Sequence, residues 1–159
     1  MKRTSILFLR AVLVLIGMVA LFILIRFPLT EGRAVGLDLP SIYLDPFIIY
    51  GYISSIAFFV ALYKAFKLLG YIAQDKLFTL DSIRTLRSIK YCAIILSVLI
   101  LIAGLFIRIF HDPEDDAAGF LAMCIITIFI SITVAIAVAV LERILRNAVD
   151  MKSENDLTI

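Results

Sequence analysis

The stretch AAGFLAMCIITIFISITVAIAVAVL, Ala117 to Leu141, runs for 25 residues without one charged side chain. As a helix it would reach about 37 Å, more than the about 30 Å thickness of a bilayer's hydrocarbon core. Three further apolar runs stand upstream: Ile6 to Ile25, Phe47 to Leu69 with Lys64 and Lys67 near its far end, and Tyr91 to Phe110, which contains Arg108. Of the 159 residues 63% are hydrophobic, against about 45–50% in soluble domains, so a water-soluble fold of this size has nowhere to bury them. The runs lack the period-2 alternation of barrel strands, and backbone groups in lipid must be satisfied within the segment, so each run is predicted to be a helix.

The fold class that follows is all-α: a polytopic membrane protein with four transmembrane helices in an antiparallel bundle, forming a single membrane domain over residues 1–159. Helices are expected at about 6–27, 47–69, 80–110 and 117–151, with outer loops at 28–46 and 111–116, an inner loop at 70–79 and a tail at 152–159. The first run is longer than the about 7–15 apolar residues of a secretory signal and is followed by three more, so it reads as an uncleaved helix. Twelve of the fifteen lysines and arginines fall in the N-terminal segment, the loop between runs two and three, and the tail. Cytoplasmic loops are enriched in these residues, which predicts that both termini are cytoplasmic.

Two sets of small residues recur at four-residue spacing: Thr127, Ser131, Ala135 and Ala139 in run four, and Ser54, Ala57, Ala61 and Ala65 in run two. Small residues let helix backbones approach in lipid. They fit packing within the bundle or a homodimer face, and the spacing leaves both open.

Chemistry-bearing clusters are sparse. His111, Asp112, Glu114, Asp115 and Asp116 lack the glycine and the spacing of a calcium loop and read as a solvated acidic turn. Cys92 and Cys124 are expected at depths too different for a disulfide. Arg10 and Arg108 lie near run ends and can snorkel to the interface. No run holds an acidic residue for a proton relay, and no nucleophile triad, nucleotide loop or metal set can be assembled. The chain is therefore expected to have no enzymatic activity, no catalytic or metal site and no cofactor.

The segment ahead of run three, DSIRTLRSIK (81–90), repeats a hydroxyl, an aliphatic and a cation in rotation. Three steps of about 100° make rows that drift 60° per triplet. Ile83, Leu86 and Ile89 form an apolar row, Arg84, Arg87 and Lys90 a basic row, and Ser82, Thr85 and Ser88 a hydroxyl row. The expected arrangement sets the apolar row in the membrane and the cations at anionic headgroups. Docking of a cytosolic protein on the same rows is the alternative. Thr79 is the expected N-cap of this helix, with Asp81 in its first turn.

The stretch KLFTLDSIRTLRSIKYCAI (76–94) and the tail ENDLTI, Glu154 to Ile159, resemble the corresponding stretches of a bacterial four-helix membrane family, domain-of-unknown-function family 2975. Members of that family are often encoded beside a small helix-turn-helix regulator of the phage-repressor type. The resemblance implies an integral membrane interaction protein that tethers or modulates such a regulator, without itself contacting nucleic acid. Arg84, Arg87, Lys90, Glu154, Asn155, Asp156, Leu157, Thr158 and Ile159 are the candidate headgroup or partner-docking residues. A small transporter or channel subunit is the alternative reading.

Overall fold

A computed structural model describes residues 3–30, 36–110 and 117–157. In chain order they form α1 (Arg3–Thr30), a short α2 (Leu39–Tyr43), α3 (Pro46–Ala73), α4 (Leu80–Phe110) and α5 (Ala117–Leu157). The four long helices are each long and apolar enough to cross a membrane, and the described residues contain no strand. Three differences from the sequence-based boundaries are informative. Pro28 lies inside α1, part of the first outer loop is helical as α2, and α5 runs to Leu157, so most of the tail is its last turns. The acidic turn 111–116 lies outside the described residues, as do Thr158 and Ile159.

The long helices pack in chain order: α5 along α4, α4 against α3, and α3 against α1. The antiparallel run of the four spans brings the start of α1, the α3–α4 turn and the end of α5 to one end of the bundle. Because α1 leans on α3, a hollow of about 390 Å³ remains toward α4 and α5, bordered by Leu24, Ser54, Leu99 and Met123 among others.

The α4–α5 seam is the most extensive contact. On α5 the inward residues are Cys124, Ser131, Ala135, Val138, Glu142, Leu145 and Val149, an alternation of three- and four-residue steps after the first heptad. That is the geometry of left-handed helix pairs, in which the contact line follows 3.5 rather than 3.6 residues per turn. The strict four-residue stripe gains about 40° per step and leaves this line, so Ser131 and Ala135 are buried while Thr127 and Ala139 sit at its edges. Where the helices come close, a Cβ added at Gly104 of α4 would lie 3.6 Å from Cys124 Cβ. The α5 stripe is thus used within the bundle. On α3, Ser54 is buried and Ala57, Ala61 and Ala65 are half-buried. Both cysteines are free.

A proline inside a helix removes the N–H that would bond the carbonyl four residues earlier. For Pro28 that carbonyl is Leu24, and Tyr52 of α3 donates its hydroxyl to it at 3.0 Å. The next carbonyl, Ile25, accepts from Tyr43 of α2 at 3.2 Å, and Thr30 Oγ1 donates to the carbonyls of Arg26 and Phe27. Deeper in the bundle Tyr50 donates to the Leu99 carbonyl of α4 at 2.7 Å. Freed backbone groups at a proline are tolerated in membrane helices where neighbours re-satisfy them. Tyrosines do that here, and in doing so fasten α1 to α2 and α3.

Replacing Tyr52 by Phe should destabilise the detergent-solubilised protein by about 1–2 kcal/mol, the cost of an unpaired buried carbonyl. In a Pro28→Ala background, where residue 28 regains its N–H, the same replacement should cost markedly less. Equal losses in the two backgrounds, measured by thermal unfolding, would show that Tyr52 does not serve the proline's vacant carbonyl.

Candidate functional site at the charged end of α4 and α5

The α3–α4 turn sets the position of the triplet repeat. The Lys76 N–H donates to the Tyr71 carbonyl at 2.9 Å and the Asp75 N–H to that of Ile72 at 3.2 Å, with Asp75 in the left-handed region at φ 55. This is the paired-bond helix stop in which glycine is the commonest residue at the left-handed position. Thr79 then caps α4: its Oγ1 accepts from the Ser82 N–H at 3.4 Å and donates to the Lys76 carbonyl at 2.8 Å. Ser82, fully buried, donates from its Oγ to the same carbonyl at 3.0 Å. Turn and first helical turn are therefore bonded to each other through Lys76.

From this start the three rows of the repeat separate. Ile83 and Leu86 pack with Leu145 of α5 into a buried cluster ringed by Leu68, Leu77, Val138 and Val149, and Ile89 is buried beyond it. This corrects the expectation that the apolar row lies in the membrane: α5 continues past its apolar run and covers that row, so burial against protein replaces burial in lipid. The hydroxyls bond back onto the helix, Thr85 to the Asp81 carbonyl at 2.8 Å and Ser88 to that of Arg84 at 3.1 Å. Such back-bonding lets hydroxyls sit on a packed helix without an outside partner.

The cations part company as well. Arg84 faces outward, with only an exposed contact to Asp81 at 3.8 Å, a geometry that contributes little. Arg87 and Lys90 instead reach across to Glu142 of α5, which is 6% exposed. Arg87 Nε donates to Oε1 at 3.0 Å and Lys90 Nζ to Oε2 at 2.7 Å, while Arg146, one turn along α5, donates from Nη2 to Oε1 at 3.0 Å. Two of the three candidate headgroup cations are thus committed to an interhelical ion cluster. Glu142 was the residue that sequence reasoning passed over. The available signal was position: it is the first charge after 25 uncharged residues, with Arg146 at the four-residue spacing of a helical ion pair.

Glu142 lies one residue past the uncharged run, outside the apolar span. The hydrogen bond from Lys90, and after it Arg87, hold its carboxyl below the ordinary carboxylate range, against the opposing effect of burial. Three cations around one carboxylate leave the cluster positive. Beyond it, residues 150–157 of α5 are exposed throughout, and the candidates Glu154, Asn155, Asp156 and Leu157 all lie there. Arg108, the only basic residue in the last turn of α4, stands at the far end, where a cation suits the helix dipole. Among the described residues no group of histidine, cysteine or acidic side chains could hold a metal ion.

Four long apolar helices, each with internally bonded backbone and a largely apolar exterior, define a multi-pass membrane protein. The chain belongs to the family described as a protein of unknown function (DUF2975), which matches residues 3–159. It is 40% identical over 161 residues, spanning the whole of both chains, to a Bacillus subtilis (strain 168) protein described as the uncharacterized membrane protein YoaS. No solved structure matches it.

Glu142→Gln, which keeps shape and removes charge, should lower stability by about 1–2 kcal/mol at neutral pH. Full pair energies do not apply, because Arg87 and Arg146 are about half exposed and can return to water. A carboxylate with a depressed folded pKa contributes fully above its unfolded value of about 4.3, and that contribution is lost as pH falls through the folded value. The gap between wild type and Glu142→Gln in unfolding midpoint should therefore be constant from pH 7 to about 5 and close in stronger acid. A gap that does not narrow at all as pH falls below about 4 would contradict the assignment.

Proposed function

We propose that the chain is a non-enzymatic integral membrane protein of the bacterial inner membrane that presents the charged end of α4 and α5, on the cytoplasmic side, to a small helix-turn-helix regulator. The observation that carries this reading is the length of α5. Past Leu141 it continues for 16 residues to Leu157, roughly 24 Å, and residues 150–157, its last two turns, are exposed. An exposed helix end, held at its base by Glu142 and the Ile83–Leu86–Leu145 cluster, suits the capture of a soluble partner. Exposed Arg84 and Arg143 beside it, and the positive cluster behind it, favour a partner surface rich in acidic residues. The cytoplasmic placement rests on the concentration of lysine and arginine at this end, and the nature of the partner on the family resemblance.

A C-terminal green fluorescent protein fusion should fluoresce and a C-terminal alkaline phosphatase fusion should be inactive; the reverse pattern would overturn the orientation. In detergent, the full chain should bind the purified small regulator encoded beside its gene. Truncation after Ser153 or Arg84→Glu should weaken binding at least tenfold, with Arg26→Gln at the opposite end as an unaffected control. Arg84 is the informative position because it is exposed and lies outside the Glu142 cluster, whereas reversing Arg87 would also break that cluster. Undiminished binding by both altered chains, or no binding by the wild type, would refute the reading.

A further inference from the structure

A second basic feature lies at the same end, between α1 and α3. Arg10 projects from α1 beside the last turns of α3, its guanidinium 5.2 Å from the centre of the Phe66 ring. Opposite it stands Gly70, where an added Cβ would lie 3.4 Å from Arg10 Nη2, so a side chain longer than that of alanine would crowd the guanidinium. The Nε of Arg10 is buried and donates to no described atom. A buried guanidinium N–H without an acceptor is costly, and in native structures such a group marks an unrecorded water, ion or ligand. Arg3 lies seven residues earlier, hence on the same helix face and roughly 10 Å along it. Both arginines border one cavity of about 480 Å³, closed by Ile6, Leu7 and Ile72 with Asp75 at its edge.

The two cations exceed the single carboxylate, and Asp75 does not take the Arg10 Nε–H. What the cavity lacks is an anion with at least two acceptor oxygens. The planar Nε–Nη edge of an arginine matches two oxygens of one phosphate, and its weak hydration lets it do so partly buried. Its position agrees: Arg10 lies near the start of the first apolar run, from where a guanidinium can snorkel toward the headgroup layer. We propose that Arg10, assisted by Arg3, holds a phosphate-bearing anion between α1 and α3, either the headgroup phosphate of an anionic phospholipid or free phosphate.

Native mass spectrometry of the full chain released from detergent reads this directly, with phosphatidylglycerol, phosphatidylcholine and inorganic phosphate as separate probes. The expected result is a one-to-one adduct with phosphatidylglycerol or with inorganic phosphate, weakened at least tenfold by Arg10→Gln and unchanged by Arg108→Gln at the other end. A phosphatidylglycerol adduct that millimolar inorganic phosphate does not displace assigns the lipid; an adduct with inorganic phosphate alone assigns the free ion. Gly70→Leu, which keeps every charge but crowds the guanidinium, should weaken the same adduct and guards against misfolding of Arg10→Gln. Adducts equal in wild type, Arg10→Gln and Gly70→Leu, or reduced as much by Arg108→Gln, would overturn the site.

Discussion

Glu142 is a carboxylate taken almost wholly out of solvent at the point where α5 leaves its apolar span. Removing such a group from water costs several kcal/mol unless opposite charges and hydrogen bonds replace the lost hydration. Arg87, Lys90 and Arg146 supply them, two from the facing helix and one from its own. The apolar contacts of the α4–α5 seam are non-directional and set its register less sharply than an ion pair does. Only one register brings Glu142 level with Arg87 and Lys90. The ion cluster therefore selects alignment more than it adds stability, and every contact along the seam, from Leu86 with Leu145 to Gly104 with Cys124, depends on that alignment.

At the other side of the bundle the constraint is backbone satisfaction. Lipid offers no hydrogen bonds, so the carbonyl released by Pro28 must find a donor from protein. Tyr52 provides it, which ties the outer end of α1 to α3 through a hydroxyl where side-chain packing is thin. Gly17 does the same for close approach in the middle of α1: a Cβ there would come within 2.9 Å of Leu62 Cδ2. Helix α1 is thus held at discrete points, while α5 is held along its length, and the hollow beside α1 is the geometric result.

The spans could be read from the sequence because the physics behind them is compositional: a stretch of about 20 apolar residues needs only to be counted. The cap at Thr79 was legible for a similar reason, being a local pattern of hydroxyl and first-turn acid. The partners of the triplet repeat were not. Periodicity shows that Ile83, Leu86 and Ile89 share a face, but not whether lipid or another helix covers it, and that depended on α5 remaining helical beyond Leu141. Likewise Arg87 and Lys90 look like headgroup ligands until Glu142, more than fifty residues away in sequence, is placed opposite them. The small-residue stripe was legible in part: Ser131 and Ala135 lie on the seam, while Thr127 and Ala139 drift to its edges because a strict four-residue spacing leaves a line that alternates three and four.

These differences in attachment divide the molecule into a firm part and a looser one. The pair α4–α5 has a continuous seam, a buried apolar cluster and an ion lock, whereas α1 borders two cavities, the hollow toward α4 and α5 and the arginine-lined space against α3. A ligand moves an equilibrium only through a difference in its affinity for two arrangements. Occupants of either cavity touch α1 and a neighbouring helix at once, so it is the position of α1 relative to α3 that they can bias. Among the described residues the helix that packs substantially on both α1 and α4 is α3, and the hydrogen-bonded turn from Tyr71 to Ser82 fixes how α3 leads into α4.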